Sequence, residues 1–186
     1  MANLMLSLNN NKLATSLSSQ MTQLALITSL GLVLFLFESL IPTPLPWLKP
    51  GLAHVATLVA LYILGIRSAF IVVVLRILVG SMMLGTLFNP AFLLSFCGGI
   101  AATLSMVLLK QFLSVYFSIF GISICGAVVH NLTQLILVER VIVKRLEIFY
   151  LIPVMIISGV VTGFIVAVLS YLLISKIIKI NFKVKT

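Results

Sequence analysis

The chain has 186 residues, of which 62% are hydrophobic and 8% charged, with a mean hydropathy of +1.31 and a formal net charge of +9. Roughly a quarter of the residues of a soluble globular domain are charged, so this composition excludes one and describes an integral membrane protein. Apolar runs of about 20 residues, with about 20 needed per span, leave room for five to seven helices in one domain and none for a soluble catalytic domain. Both cysteines, Cys97 and Cys125, fall inside apolar runs, which argues against a structural disulfide. Most basic residues lie at span ends and in short loops, so the charge reads as membrane orientation and not as a nucleic-acid surface.

Residues 1–21 (MANLMLSLNNNKLATSLSSQM) are rich in Asn and Ser and form either a flexible tail or a weakly amphipathic surface helix. A signal peptide is disfavoured, because the apolar run that follows leads into Glu38 and a proline cluster without a small-residue cleavage site. Span 1 covers about Thr22–Ile41. The next stretch, up to Val55, holds Pro42, Pro44, Pro46 and Pro50 together with Trp47, Lys49 and His54. Four residues without an N–H and with fixed φ cannot continue a helix, so this is a stiff cap: a helix breaker with Trp47 as interfacial anchor, or a lid over a binding site.

Span 2 covers about Gly51–Ile66, Arg67 and Ser68 make a short turn, and span 3 covers about Ala69–Leu84 with Arg76 in its middle. The segment 85–90 (GTLFNP) breaks the chain before span 4, about Ala91–Leu109. Span 5, about Ser118–Val138, carries His130, Asn131 and Gln134. A charged link, 139–149, precedes span 6, about Tyr150–Ser175, and a basic end. The domains are a tail over 1–21, a six-helix membrane domain over 22–178 and a basic cytoplasmic tail over 179–186. Only helices or closed barrels satisfy backbone groups in lipid, and no ten-residue alternating pattern occurs, so the fold class is an all-α integral membrane protein with six transmembrane helices.

Six spans put both termini on one side. That side holds Lys12, Arg67, Lys110, Lys176, Lys179, Lys183 and Lys185, against Lys49, Arg140, Lys144 and Arg145 on the other. The excess places both termini in the cytoplasm. At 1.5 Å per residue, Glu38 and His54 then lie ~5 Å below the outer surface and Arg76 and His130 ~12 Å below it, with Lys49 and Asn89 in the outer connections. The polar residues hardest to explain therefore share the outer half.

A charge near a helix centre costs roughly 2.5–3.5 kcal/mol on insertion scales, so Arg76 needs a partner or a ligand. Glu38 is the only acid within a span, and the residues alone leave open whether Arg76 pairs with it or faces a ligand. His130 and Gln134, spaced i,i+4, share a helix face, with Asn131 adjacent. An intramembrane His is more often a packing residue than a ligand, and no local spacing supports a metal site. Small residues recur at four-residue spacing at Ala25 and Ser29 and at Gly159, Gly163 and Ala167, and at three- and four-residue spacing at Ser95, Gly98, Ala102 and Ser105. Each stripe is either internal packing or a surface for a partner helix.

The succession ESLIPTPLPWLKPGLAHVATLVALYILG, RSAFIVVVLRILVGSMMLGTLFNPAFLLSFCGG and FGISICGAVVHNLTQLIL resembles the bacterial membrane family called Gx transporters, also labelled component I of heptaprenyl diphosphate synthase. The resemblance covers about Thr22–Ser175. Its more specific parts are the Glu-x₃-Pro-x-Pro-x-Pro-x₂-Lys-x-Gly-Leu-Ala segment, Leu75-Arg76, Phe88 to Phe92 and His130-Asn131. His54 stands where the family usually has Asn. That family is similar to the substrate-binding subunits of energy-coupling-factor vitamin transporters, which implies six helices, cytoplasmic termini, an outward pocket gated by the first loop, and docking of a coupling subunit on helix 1 at Ala25 and Ser29.

The two labels make opposing claims. Prenyl transfer needs clustered aspartates for Mg²⁺, and this chain has no aspartate, three isolated glutamates (Glu38, Glu139, Glu147) and no Walker-type loop. The expectation is a non-enzyme of the bacterial cytoplasmic membrane, without cofactor, metal or nucleic-acid partner. It captures a small organic micronutrient or isoprenoid or quinone-type precursor with an anionic or polar group, and works with a membrane coupling subunit and ATPase subunits. The candidate ligand-binding residues are Glu38, Lys49, His54, Arg76, Asn89, His130, Asn131 and Gln134. The alternative is a non-catalytic membrane subunit associated with a polyprenyl diphosphate synthase.

Overall fold

A computed structural model describes residues 2–41 and 51–184, with side chains described at 18–41 and 51–179. The proline-rich connection with Trp47 and Lys49 lies outside the described residues. Six α-helices follow in chain order: α1 (Ala2–Leu40), α2 (His54–Ile63), α3 (Ile66–Met83), α4 (Pro90–Phe112), α5 (Ile119–Val138) and α6 (Ile152–Val184). There is no strand among the described residues. Residues 2–21 are helical and continuous with the first span.

Among the described residues five segments are long and apolar enough to cross a membrane: Ser18–Leu40, Ile66–Met83, Pro90–Phe112, Ile119–Val143 and Leu146–Lys179. The protein is thus a multi-pass, all-helical membrane protein. The break at 85–90 and the limits of α5 fall where the sequence puts them. The predicted second span is different. Its helix has only 10 residues, about 15 Å of rise against a hydrocarbon core about 30 Å thick. Glycines with left-handed φ bound it: Gly51 at +78° precedes its first turn, and Gly65 at +93° stops it, with the Gly65 N–H reaching back to Ala60 O at 3.0 Å. Arg67 and Ser68, read as a turn, instead belong to the first turn of α3, because Gly65 alone reverses the chain. The link after α5 continues as a π-turn over Glu139–Val143, reverses at Lys144 with φ +53°, and enters a 3₁₀ segment, Leu146–Leu151.

The short α2 lies at the centre, packed against α1, α3, α4 and α6, and its residues His54 to Leu61 are all buried. Around it Ile27, Val55, Leu58, Leu61, Val72, Met106, Ile122 and Val166 form one apolar core. In lipid this core gains little from the hydrophobic effect, so close packing is what holds it. The small-residue stripes supply that packing on two helices. Gly159 and Gly163 of α6 lie so close to α5 that an added Cβ would sit 2.9 Å from Val128 Cα and 2.7 Å from Ile124 Cα, and Ser123 donates to Gly163 O at 2.7 Å. Ser95, Gly98 and Ala102 of α4 are likewise buried. Ala25 and Ser29 of α1 are exposed.

Candidate functional site

The start of α2 is built by the sequence Gly51-Leu52-Ala53-His54. With Gly51 in the left-handed region, its carbonyl turns inward and meets both the His54 N–H and His54 Nδ1, each at 3.0 Å. A carbonyl oxygen only accepts, so Nδ1 carries the proton, and a neutral His54 presents Nε2 as an acceptor. Glu38, in the last turn of α1, reaches the same turn: its Oε1 accepts from the Ala53 N–H at 2.9 Å. A carboxylate at a helix N-terminus is favourably placed, because the first N–H groups there have no partner within the helix.

Arg76 enters from α3, and it lines one small cavity together with Phe35, Glu38, Gly51, His54, Ile77, Ser95 and His130. Arg76 is only 3% exposed, His54 3% and Glu38 4%. Among the described residues Arg76 has no ion-pair partner within 4.0 Å and its Nε has no hydrogen-bond partner. Glu38 nevertheless lies close enough to act on it electrostatically. A buried cation held near an acid, without closing on it, keeps donor capacity that a purely structural pair would consume.

The opposite wall comes from α4 and α5. The His130 ring meets the His54 ring edge-on, with centroids 4.6 Å apart. Gly98 admits it: a Cβ there would sit 2.9 Å from two His130 ring atoms and 3.2 Å from Gln134 Cγ. Gln134 is 1% exposed, and neither atom of its amide has a partner among the described residues. Asn131 is spoken for, donating from Nδ2 to Met155 O at 3.0 Å and tying α5 to α6.

Of the predicted site residues, Glu38, His54, Arg76 and His130 therefore converge on one cavity, with Gln134 against the same glycine as His130. Asn131 is buried near by in a structural bond, Asn89 is exposed at the start of α4, and Lys49 lies outside the described residues. Sequence reasoning missed Phe35, Gly51, Ile77 and Ser95 as lining. For Ser95 the sequence carries a signal, its place in the small-residue stripe of α4.

The cavity measures about 10 Å³, room for roughly one water. Its described lining offers the Arg76 guanidinium as donor and the Glu38 carboxylate and His54 Nε2 as acceptors, which suits a small polar group or an anion held by Arg76. Among the described residues no group of three or more His, Cys, Asp or Glu is arranged to hold a metal ion. A larger groove of about 300 Å³ lies by the start of α3, but Gln20, Met21, Gln23, Leu24, Ile63, Leu64 and Ser68 line it without a charged side chain.

Residues 27–173 match the family described as heptaprenyl diphosphate synthase component I. No curated protein and no solved structure is significantly similar to the chain.

Proposed function

Because the chain belongs to the heptaprenyl diphosphate synthase component I family, we propose that it is a membrane subunit that captures a small organic molecule for import, like the substrate-binding component of an energy-coupling-factor transporter. Six segments cross the bacterial cytoplasmic membrane, α2 with its flanking turns counting as the second, and both termini are cytoplasmic. The molecule carries an anionic or polar group that enters between Glu38, His54, Arg76, His130 and Gln134, with Lys49 and Asn89 at the mouth. The observation that carries this reading is Arg76, buried at the cavity with an Nε that has no described partner. Energy comes from a coupling subunit docked on the exposed Ala25 and Ser29, and from ATPase subunits behind it.

The family description favours a second reading, a non-catalytic membrane partner of a polyprenyl diphosphate synthase. The absence of aspartate from the sequence leaves this chain without the Mg²⁺-binding cluster such a reaction needs, so the chemistry would belong to the partner. Native mass spectrometry of protein purified from its source membrane separates the two. Capture predicts a bound small molecule and membrane or ATPase partners; co-purification of a synthase with no bound small molecule would establish the second reading instead. Topology has its own check. Single cysteines in 42–50 and 139–149, in a chain lacking Cys97 and Cys125, should react with an impermeant reagent on intact cells, and one at Lys183 should not. The reverse pattern would overturn the outward-facing pocket.

A further inference from the structure

We propose that the Glu38 carboxylate is a built-in stand-in for the ligand, and that the ligand's head group is a carboxylate which exchanges with it at the N-terminus of α2. This rests on the capture reading. The position where an anion is best held in this bundle is already filled: Glu38 Oε1 accepts from the Ala53 N–H at 2.9 Å, beside Arg76 and with Glu38 itself 4% exposed. What remains is about 10 Å³, too little for a second anion to be added on top. A ligand anion must therefore take the place of the first.

The group that best replaces a carboxylate is another carboxylate. It is planar, carries one charge, and can accept from the Ala53 N–H while facing the flat donor edge of Arg76, whose Nε has no described partner. A phosphate is tetrahedral and a diphosphate larger still. Either would bring further charge to a cavity whose described lining holds one arginine as its permanent cation. Glu38 lies two residues before the end of α1, and in the exchange its side chain leaves the Ala53 N–H to the incoming carboxylate. The exchange keeps one negative group opposite Arg76 throughout, so the buried cation is never stranded.

The chain has three glutamates and no aspartate, which makes the exchange observable in the intact protein. With glutamate labelled by ¹³C at the side-chain carboxyl, the full chain in detergent gives three signals, of which only Glu38 is deeply buried. Its assignment comes from Glu38→Gln or, should that variant not fold, by elimination with Glu139→Gln and Glu147→Gln. Acetate should move the Glu38 signal saturably toward the position of the exposed Glu147, and pyrophosphate should not. Glu38→Gln, which vacates the negative charge, should bind acetate about tenfold more tightly or better, and Arg76→Met added to it should remove that gain. A Glu38 signal unmoved by acetate up to its solubility limit overturns the proposal, as does one that pyrophosphate moves equally. The capture reading fails differently. If no small molecule co-purifies and no uptake exists while Glu38 answers to acetate, capture falls and the exchange site stands. If a molecule without a carboxylate co-purifies and Glu38 ignores acetate, capture stands and the exchange falls.

Discussion

Each end of α2 is held by a charged side chain from another helix. At its C-terminal end, Lys110 of α4 donates to Leu61 O at 2.7 Å and lies 4.4 Å above the Tyr62 ring. At its N-terminal end, Glu38 of α1 accepts from Ala53 at 2.9 Å. Both charges complement the helix dipole, negative at the start and positive at the end. The two ends differ in what surrounds them. Beside the part-buried lysine lie residues of the apolar core, and the cation is answered by a carbonyl and a ring. Around the glutamate, Arg76 Nε, His54 Nε2 and the Gln134 amide keep capacity that no described residue uses. Unused capacity of that kind costs stability, roughly 1–3 kcal/mol for each buried polar group. Packing accounts for the first end, and the second is the end we propose for a ligand.

The greatest loss of stability is expected on the apolar side. Leu58, fully buried in α2, should cost about 2–5 kcal/mol when cut to alanine. Thermal unfolding in detergent should drop accordingly, while the bound small molecule per folded protein stays unchanged. A lost ligand with unchanged melting would mean that the two ends are not separable. Next in size is Gly98→Ala, where the new methyl meets the His130 ring and overpacks by about 1–3 kcal/mol. Unlike the leucine change it should lower ligand retention as well as melting, because it displaces a wall of the cavity. Lys110→Met should be milder, about 1 kcal/mol, since it removes one charge-assisted bond at the edge of the core and leaves the site intact. Smallest in stability is the pair Ala25→Trp and Ser29→Trp on the exposed face of α1, expected to shift it by about 0.5 kcal/mol or less. Co-purification of a coupling partner should nevertheless disappear while ligand binding by the isolated subunit persists. Partner binding that survives both tryptophans would remove this face from the assembly.

How much of this was legible in the sequence depends on what each helix hides. Depth was readable in part: rise per residue and breaker positions put Glu38, His54, Arg76 and His130 in the same half of the bundle, and they share a cavity. Rotation about the helix axis was readable only on α5, where His130 and Gln134 share a face and both meet Gly98, because helices apolar on every side show no face. Asn131 and Gln134 look equivalent by depth, yet one bonds Met155 O and the other has no described partner. Asn89 was grouped by level with the site and is exposed at the start of α4. The length of α2 was hidden too, since Gly51–Ile66 reads as one apolar run and only the backbone shows that Gly51 and Gly65 are left-handed. The role of Lys110 was masked by its position at a span end, where a lysine is expected on orientation grounds alone.

The central claim is that Arg76 is kept for a ligand and not for structure. Melting temperature and ligand retention measured together on Arg76→Met, Glu38→Gln and the double variant test it most directly. The account predicts that Arg76→Met melts close to the native protein but holds its ligand more weakly by about 1.5–3 kcal/mol or more, and that adding Glu38→Gln does not restore binding. A structural pair predicts an unstable single variant, because the stranded acid dominates the cost, with recovery once that acid is neutralised. Recovery of both melting and ligand retention in the double variant would contradict the account.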